Sequence, residues 1–420
     1  MEIPFKKANI LLPKTDNMEL WSVIACDQYT SEPEYWNKVK EIVKDKPSTL
    51  NLILPEIYLE ENDVEERINK INQNMKELVS KDFFKEYPDS MFYIERTQSD
   101  GLVREGLIGM VDLEAYSYET GSTSMIRATE KTVIERIPPR VKVRKNALLE
   151  LPHIMILIDD DTKDIIESLK NKVTKQDKVY DFNLMQNGGH IKGYVLPDKD
   201  ANEVITKLEK LANKEYFNQR YGLKDKEVLL FAMGDGNHSL ATAKACYEEL
   251  KKTMPKEEYL NSPARYALVE IVNLHSSALE FEAIHRVIFN TDVKKLLKEL
   301  ETYYEISYEE TAGQKIDYIT KDKEGSIWIR NPKSNIPVGS LQIFLDDYLK
   351  NNEGKIDYIH GEDVVRKFAK EENNIGFILP TMKKQELFKT VILDGALPRK
   401  TFSMGHSNDK RYYLESRKIK

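Results

Sequence analysis

Cysteine is scarce: the 420 residues hold two, Cys26 and Cys246, far apart in the chain. Two such thiols make neither a zinc pattern nor a disulfide framework. Cys246 reads as small-residue packing, and Cys26, beside Asp27, as the better candidate for lining a site. Long apolar runs are also missing, and none approaches the roughly 18 residues that a membrane helix needs. The start Met1-Glu2-Ile3-Pro4-Phe5-Lys6-Lys7 has no basic segment leading into an apolar one, so neither export nor membrane insertion is expected and the protein is read as cytoplasmic. Basic excess is lacking too. A net charge of -7 argues against a nucleic-acid-binding surface as the main role. No Gly-x-x-x-x-Gly-Lys-Ser/Thr segment occurs, which disfavours a Walker-type nucleotide site. Repeats and low-complexity tracts are absent.

What remains is a globular balance, 40% hydrophobic and 32% charged, over a length that suggests two or three domains. A helical and extended region is expected over 1–90, with helices from near Pro33 and over about Asn62–Lys81. A sheet domain is expected over 91–275. It opens with a hairpin, Met91–Arg96 and Val103–Val111, across the Asp100-Gly101 turn. Ile154–Ile158 reads as a buried strand, and Asp159–Asp161 after it as a solvated acidic loop rather than a metal site. The stretch near 160–225 reads as an insertion of two charged helical stretches around Asn187–Val195, a turn feeding a strand, where His190 is taken as structural. A C-terminal α/β domain, 276–420, is expected to carry strands at Ser326–Ile329 and Leu341–Phe344. Strands interleaved with helices of varied length indicate an α+β (mixed α/β) fold.

The densest chemistry lies in Met233-Gly234-Asp235-Gly236-Asn237-His238-Ser239. Val228–Met233 before it is a short apolar run closed by glycine, the pattern of a buried strand. After it, Leu240, Ala243, Tyr247 and Leu250 recur at helical spacing. A strand that stops in a Gly-Asp-Gly turn and opens a helix aims free N–H groups and partial positive charge at one spot, which suits a phosphate. An ordinary turn with Asn237 as helix cap is the simpler alternative. His238 tilts the balance, because a cap needs an oxygen acceptor and has no use for an imidazole.

Two further segments stand out. Met125–Arg140 carries three arginines, two glutamates and two threonines. Its ordinary fate is to coat a helix, yet a single apolar stripe leaves Arg127, Glu130 and Thr132 to share the side near the strand ends. Leu393–Gly405 places Arg399 and Lys400 before Thr401 and Ser403. Adjacent cations followed by hydroxyls can grip a phosphate or carboxylate, Arg as a bidentate fork; a solvated basic turn is the alternative.

These residues carry a resemblance. Ala25–Trp36, Ile126–Glu130, Asp235–His238, Ala283–Val287 and Leu397–Thr401 together resemble a widespread, uncharacterised bacterial family, along nearly the whole chain. That family is in turn similar to the ParB/sulfiredoxin-like nucleotide-binding fold and, within it, to the free serine kinases. Those kinases carry a Pro-His-Glu segment, an Asp-Gly-His-His-Arg box opening a helix, and a late Pro-Lys-Thr-Thr-Arg-His segment, in the same order as here. The match departs at Ala128 and Thr129 before the glutamate, at Asn237 for the first box histidine and at Ser239 for the box arginine. A missing box arginine removes a phosphate cation that Arg127, Arg136 or Lys400 would have to supply.

The resemblance implies a nucleotide-dependent small-molecule phosphotransferase, most closely a free L-serine kinase interconverting serine and O-phosphoserine, with ATP or ADP and Mg²⁺. It implies Glu130 as base on the acceptor hydroxyl, Asp235 and His238 at the nucleotide phosphates with Asp235 on the metal, and Arg399, Lys400, Thr401 and Ser403 at the substrate. Arg127, Thr132, Gly234, Gly236, Asn237 and Ser239 would complete the phosphate cradle. Phosphoryl transfer needs mostly positioning, charge neutralisation and a base near the acceptor. A phosphoserine-type phosphatase and a non-catalytic nucleotide-gated binding module are the alternatives. Expected partners are the nucleotide and serine or phosphoserine, with no nucleic acid and no membrane, and with room for a homo-oligomer.

Overall fold

Glycines and apolar runs set the strand ends of the first of two units into which the chain divides. The computed structural model describes residues 2–119 and 121–420. The first unit comprises Met1–Ala128, Thr132–Leu279 and His406–Lys420; the second comprises Thr129–Lys131 and Glu280–Gly405. The fold is mixed α/β.

In the first unit a large sheet runs in the order Lys178–Asn183, His190–Val195, Phe92–Thr97, Val103–Asp112, Tyr266–Asn273, Met155–Ile158, Phe231–Asp235, Ile126–Arg127 and Tyr116–Ser117. Met155–Ile158 lies parallel to Tyr266–Asn273 and antiparallel to Phe231–Asp235. Its four residues are all buried, as a continuous apolar run requires when both sheet faces are covered. The expected hairpin forms, Phe92–Thr97 against Val103–Asp112, and Gly101 supplies φ +86 at its turn. The expected early helices form at Pro33–Val43 and Val64–Ser80. Trp21 and Trp36 are fully enclosed, and Trp36 still donates its indole N–H to the Gln28 carbonyl at 3.3 Å.

Three expectations are corrected in this unit. The strand expected after the Asn187 turn forms as His190–Val195 and joins the main sheet, but helices do not flank it: Lys178–Asn183 before it is also a strand, and the helices Asp198–Leu211 and Lys214–Tyr221 both follow. Asp159 and Asp160 are not solvated. Asp159 accepts from His275 Nε2 at 2.7 Å, Arg220 at 2.9 Å and Tyr221 at 2.5 Å, and Asp160 accepts the Ile165 N–H at 2.9 Å. Buried carboxylates persist because they are so partnered. The run Met125–Arg140 is not one helix, since strand, irregular chain, a 3₁₀ turn at Ile134–Arg136 and a helix at Ile137–Lys145 succeed one another.

The second unit is built on a sheet in the order Ile306–Ser307, Glu324–Ile329, Gln314–Thr320, Ile375–Ile378, Phe281–Phe289 and Lys355–His360, with Phe402–Met404 on the far end of Phe281–Phe289. The strand expected at Leu341–Phe344 is instead part of the helix Pro337–Asn351. Pro337 occupies its first turn, where a missing N–H costs nothing, and Leu341, Phe344, Leu345 and Tyr348 form one buried helical stripe.

Candidate phosphate site at a strand-to-helix turn

The strand Phe231–Asp235 ends at Asp235, and the helix Asn237–Thr253 starts two residues later. Gly236 joins them at φ +75, and a Cβ on it would lie 2.9 Å from Ile154 Cα and 3.3 Å from the His153 ring. Only glycine satisfies both the left-handed backbone and this approach. Gly236 is also the N-cap residue and brings no side-chain cap, so Asn237 does not cap the helix. Asn237 is occupied sideways instead: its Nδ2 donates to Thr132 Oγ1 at 3.0 Å and its Oδ1 accepts from Tyr116 at 3.4 Å. That bond brings Thr132 to the turn. Gly234 lies within the strand end, and Ser239 in the first helical turn.

Charged groups gather around this turn. Asp235 Oδ1 accepts the Gly236 N–H at 2.9 Å, and its Oδ2 faces Lys410 Nζ at 3.3 Å. Asp27 Oδ2 lies 3.6 Å from His153 Nε2, and His153 Nδ1 shares a hydrogen bond of 2.7 Å with the Tyr413 hydroxyl. Burial alone would raise the proton affinity of Asp27, but His153, a hydrogen bond from Gln28 and the Lys410 charge hold its carboxyl below the usual range. His238 is pushed down to about 4, first by burial and then by the Arg140 and Arg136 charges, with Asp27 opposing. It is therefore a neutral imidazole near pH 7. Its Nε2 is enclosed and has no hydrogen-bond partner among the described residues. Arg140 is itself held by Glu56, with its Nε at 2.8 Å. Burial pushes the Cys26 thiol far up, so Cys26 packs beside this cluster as a protonated side chain.

Arg127 does not join this group. It is 7% exposed and donates to the carbonyls of Ser124 at 2.7 Å, Glu227 at 3.0 Å and Val228 at 3.3 Å. Its guanidinium ties the short strand to the segment before Phe231, so the expectation that it grips a phosphate gives way to a structural role.

In the second unit Glu130 bridges to Leu397, and the Leu397 N–H donates to the Thr129 carbonyl at 2.6 Å. Glu130 Oε1 accepts the Thr401 N–H at 3.2 Å. Burial raises its proton affinity, against the backbone amides of Lys400 and Thr401 and the charges of Lys400 and Arg286. The Thr401 hydroxyl is turned back to the Pro398 carbonyl at 2.7 Å, and Arg399 Nε donates to the Tyr358 hydroxyl at 3.1 Å. Ser403 sits in the strand Phe402–Met404 opposite Glu282. Sequence reasoning assigned Glu130 and this basic loop to one chemistry, and they share this unit. It missed Lys410 and His153, and it offered Asp27 only as one side of the pocket, because only the folded chain brings these distant stretches to Asp235.

Among the described residues no group of three or more His, Cys, Asp or Glu side chains is gathered to hold a metal ion. Magnesium ordinarily keeps several waters and takes one or two carboxylates together with substrate phosphates. Asp235 and Asp27 are two carboxylates beside this turn, and among the described residues they form no protein-only metal cage. No helix among the described residues is long and apolar enough to cross a membrane.

The chain belongs to the family described as "Protein of unknown function (DUF1015)", which matches residues 3–417. No curated protein matches it. Solved structures similar to it include a free serine kinase in complex with AMP, at 11% identity and TM-score 0.38, covering 74% of this chain and 90% of that chain. A mutant free serine kinase in complex with ADP gives 10% identity and TM-score 0.39, covering 74% and 91%. A conserved hypothetical protein from Pyrococcus furiosus gives 11% identity and TM-score 0.36, covering 74% and 94%.

Proposed function

We propose that the protein is a nucleotide-dependent small-molecule phosphotransferase whose acceptor is free L-serine. The observation that carries the reading is the turn Asp235–His238: a strand end, a glycine pressed against Ile154, and a 17-residue helix opening without a side-chain cap, beside a neutral imidazole whose Nε2 has no hydrogen-bond partner among the described residues. Such a turn offers backbone N–H groups and the positive end of a helix to phosphate oxygens. In this reading His238 donates or accepts one hydrogen bond at the phosphates, Thr132 fixes Asn237, and Asp235 with Asp27 would hold Mg²⁺ bound with ATP or ADP. The ion would neutralise charge developing on the transferred group.

The acceptor side of the proposal rests on the second unit by itself and on the resemblance of the Ile126–Glu130 and Leu397–Thr401 segments to free serine kinases. Glu130 is assigned as the base, its proton affinity raised by burial, and a positioned carboxylate within reach of the acceptor hydroxyl can take its proton. Arg399 and Lys400, both exposed, are assigned to the carboxylate or phosphate of the acceptor.

Purified protein mixed with Mg²⁺, L-serine and ATP or ADP should form phosphoserine, followed by mass spectrometry or ³¹P NMR. Release of phosphate from phosphoserine without nucleotide would replace the kinase reading with a phosphatase. Nucleotide binding with no phosphoserine formed in either direction would replace it with a nucleotide-gated binding module.

A further inference from the structure

We propose that Lys410 is a phosphate-binding cation at the Asp235-Gly236 turn. The inference rests on the reading of that turn as a phosphate site and adds a residue from the far end of the chain. The turn has no cation of its own, because the segment Met233–Ser239 contains neither lysine nor arginine. Two carboxylates lie close by, Asp235 and Asp27, and a phosphate approaching them needs a fixed positive charge. Arg127 is bound to three carbonyls, Arg140 is bound to Glu56, and Arg136 is exposed on a 3₁₀ turn. Lys410 is the cation whose ammonium the first unit brings against the Asp235 carboxylate.

Its flanking residues hold it in place. Before it, Asp409 is 4% exposed and accepts the Ser99 N–H at 2.9 Å and the Ser99 hydroxyl at 3.0 Å. After it, Arg411 is 2% exposed, donates to Glu270 at 2.6 Å and to the Pro152 carbonyl at 3.2 Å, and pairs with Glu415. Tyr412–Tyr413 then pair with Val23–Ile24, three residues short of Asp27. A buried carboxylate on one side and a buried guanidinium on the other leave the main chain at Lys410 little freedom. Its side chain, 16% exposed, is aimed at the turn. The pair with Asp235 is long at 3.3 Å, and an ammonium carries three donors, so the group can hold Asp235 and a phosphate oxygen together. A charge held this way costs no reorganisation when the anion arrives.

Isothermal titration of the full chain with Mg-ADP, pyrophosphate and adenosine tests the assignment in wild type, Lys410→Met and Lys410→Arg. Lys410→Met should weaken Mg-ADP and pyrophosphate by about ten- to a hundred-fold, the worth of a charged hydrogen bond. Adenosine, which has no phosphate, should bind it as it binds wild type, and Lys410→Arg should recover most of the loss. Equal losses for adenosine and ADP would show a structural role and overturn the inference, as would an unchanged affinity for pyrophosphate. On wild type alone, pyrophosphate should protect Lys410 from acetylation by acetic anhydride, read by mass spectrometry, and unaltered labelling would overturn the inference even if Lys410→Met does not fold. If wild type binds pyrophosphate but not Mg-ADP, the nucleotide reading falls while Lys410 is judged on pyrophosphate; if it binds neither, both fall.

Discussion

Glu130 Oε1 accepts the backbone N–H of Thr401 at 3.2 Å, so the carboxylate assigned as base also pins the basic loop that follows Leu397. The loop is stiffened from its other side by Arg286, which is fully buried and donates to the carbonyls of Ile284 at 2.5 Å, Lys400 at 2.9 Å and Arg399 at 3.3 Å. Lys400 takes φ +59, an unusual backbone for a side chain with a Cβ, and these bonds hold it there.

Glu130→Gln should therefore separate catalysis from folding. The amide keeps an oxygen for the Thr401 N–H and mimics the protonated acid that burial favours. Because the folded pKa of Glu130 is raised, its stabilising contribution is full below the ordinary carboxylate range and is lost as pH rises through the raised value. The variant should then be at least as stable as wild type at pH 7 by thermal denaturation, with a flatter dependence from pH 4 to 7. Phosphoserine formation should fall by about a hundred-fold or more, the usual worth of a general base, while nucleotide still binds. Activity close to wild type would remove Glu130 from that role.

His238 gives a pH dependence of opposite form. Its folded pKa is pushed down to about 4 by burial and by the Arg140 and Arg136 charges, against about 6.5 in an unfolded chain. Between those values the unfolded state binds the proton and the folded state does not, so the stability His238 contributes is full above about 6.5 and is lost as pH falls toward 4. His238→Gln should lose less stability than wild type over that window, measured by urea denaturation at pH 7 and at pH 4.5. An identical pH dependence in the two proteins would mean that the imidazole is not held neutral by its surroundings.

The parts of the site that are legible in the sequence are those encoded locally. An apolar run before a Gly-Asp-Gly turn marks a strand, although it spans Phe231–Asp235, through Gly234, rather than Val228–Met233. Leu240, Ala243 and Tyr247 at helical spacing mark the helix, so the turn between them can be read from the order of residues to within two positions. Asp159 reads as a solvated loop because its partners His275, Arg220 and Tyr221 come from other elements that only the fold assembles. Leu341–Phe344 is too short a window to separate strand from helix, and the deciding residues, Pro337 and Tyr348, lie outside it. Lys410, His153 and Asp27 converge through pairings of the C-terminal segment with Val23–Ile24, and no spacing in the chain announces that.

Arg127 tests the same distinction between local and long-range information. From sequence it is one cation among several in a basic, hydroxyl-rich stretch, and a phosphate ligand by position. In the fold it satisfies three backbone carbonyls from a buried position, and its proton affinity is lowered by that burial. Arg127→Met would leave those carbonyls without their donor, at a cost of about 2–4 kcal/mol, since charged hydrogen bonds contribute about 1.5–3 kcal/mol and unmet buried acceptors add a penalty. The strand Ile126–Arg127 pairs with Phe231 and Ala232, so some loosening of the Asp235 turn is expected as well. A fall in thermal stability, with Mg-ADP affinity of the folded protein reduced by less than about three-fold (under roughly 0.7 kcal/mol), is the expected outcome. A large loss of phosphate affinity with no loss of stability would instead return Arg127 to the phosphate, at the expense of its carbonyl partners.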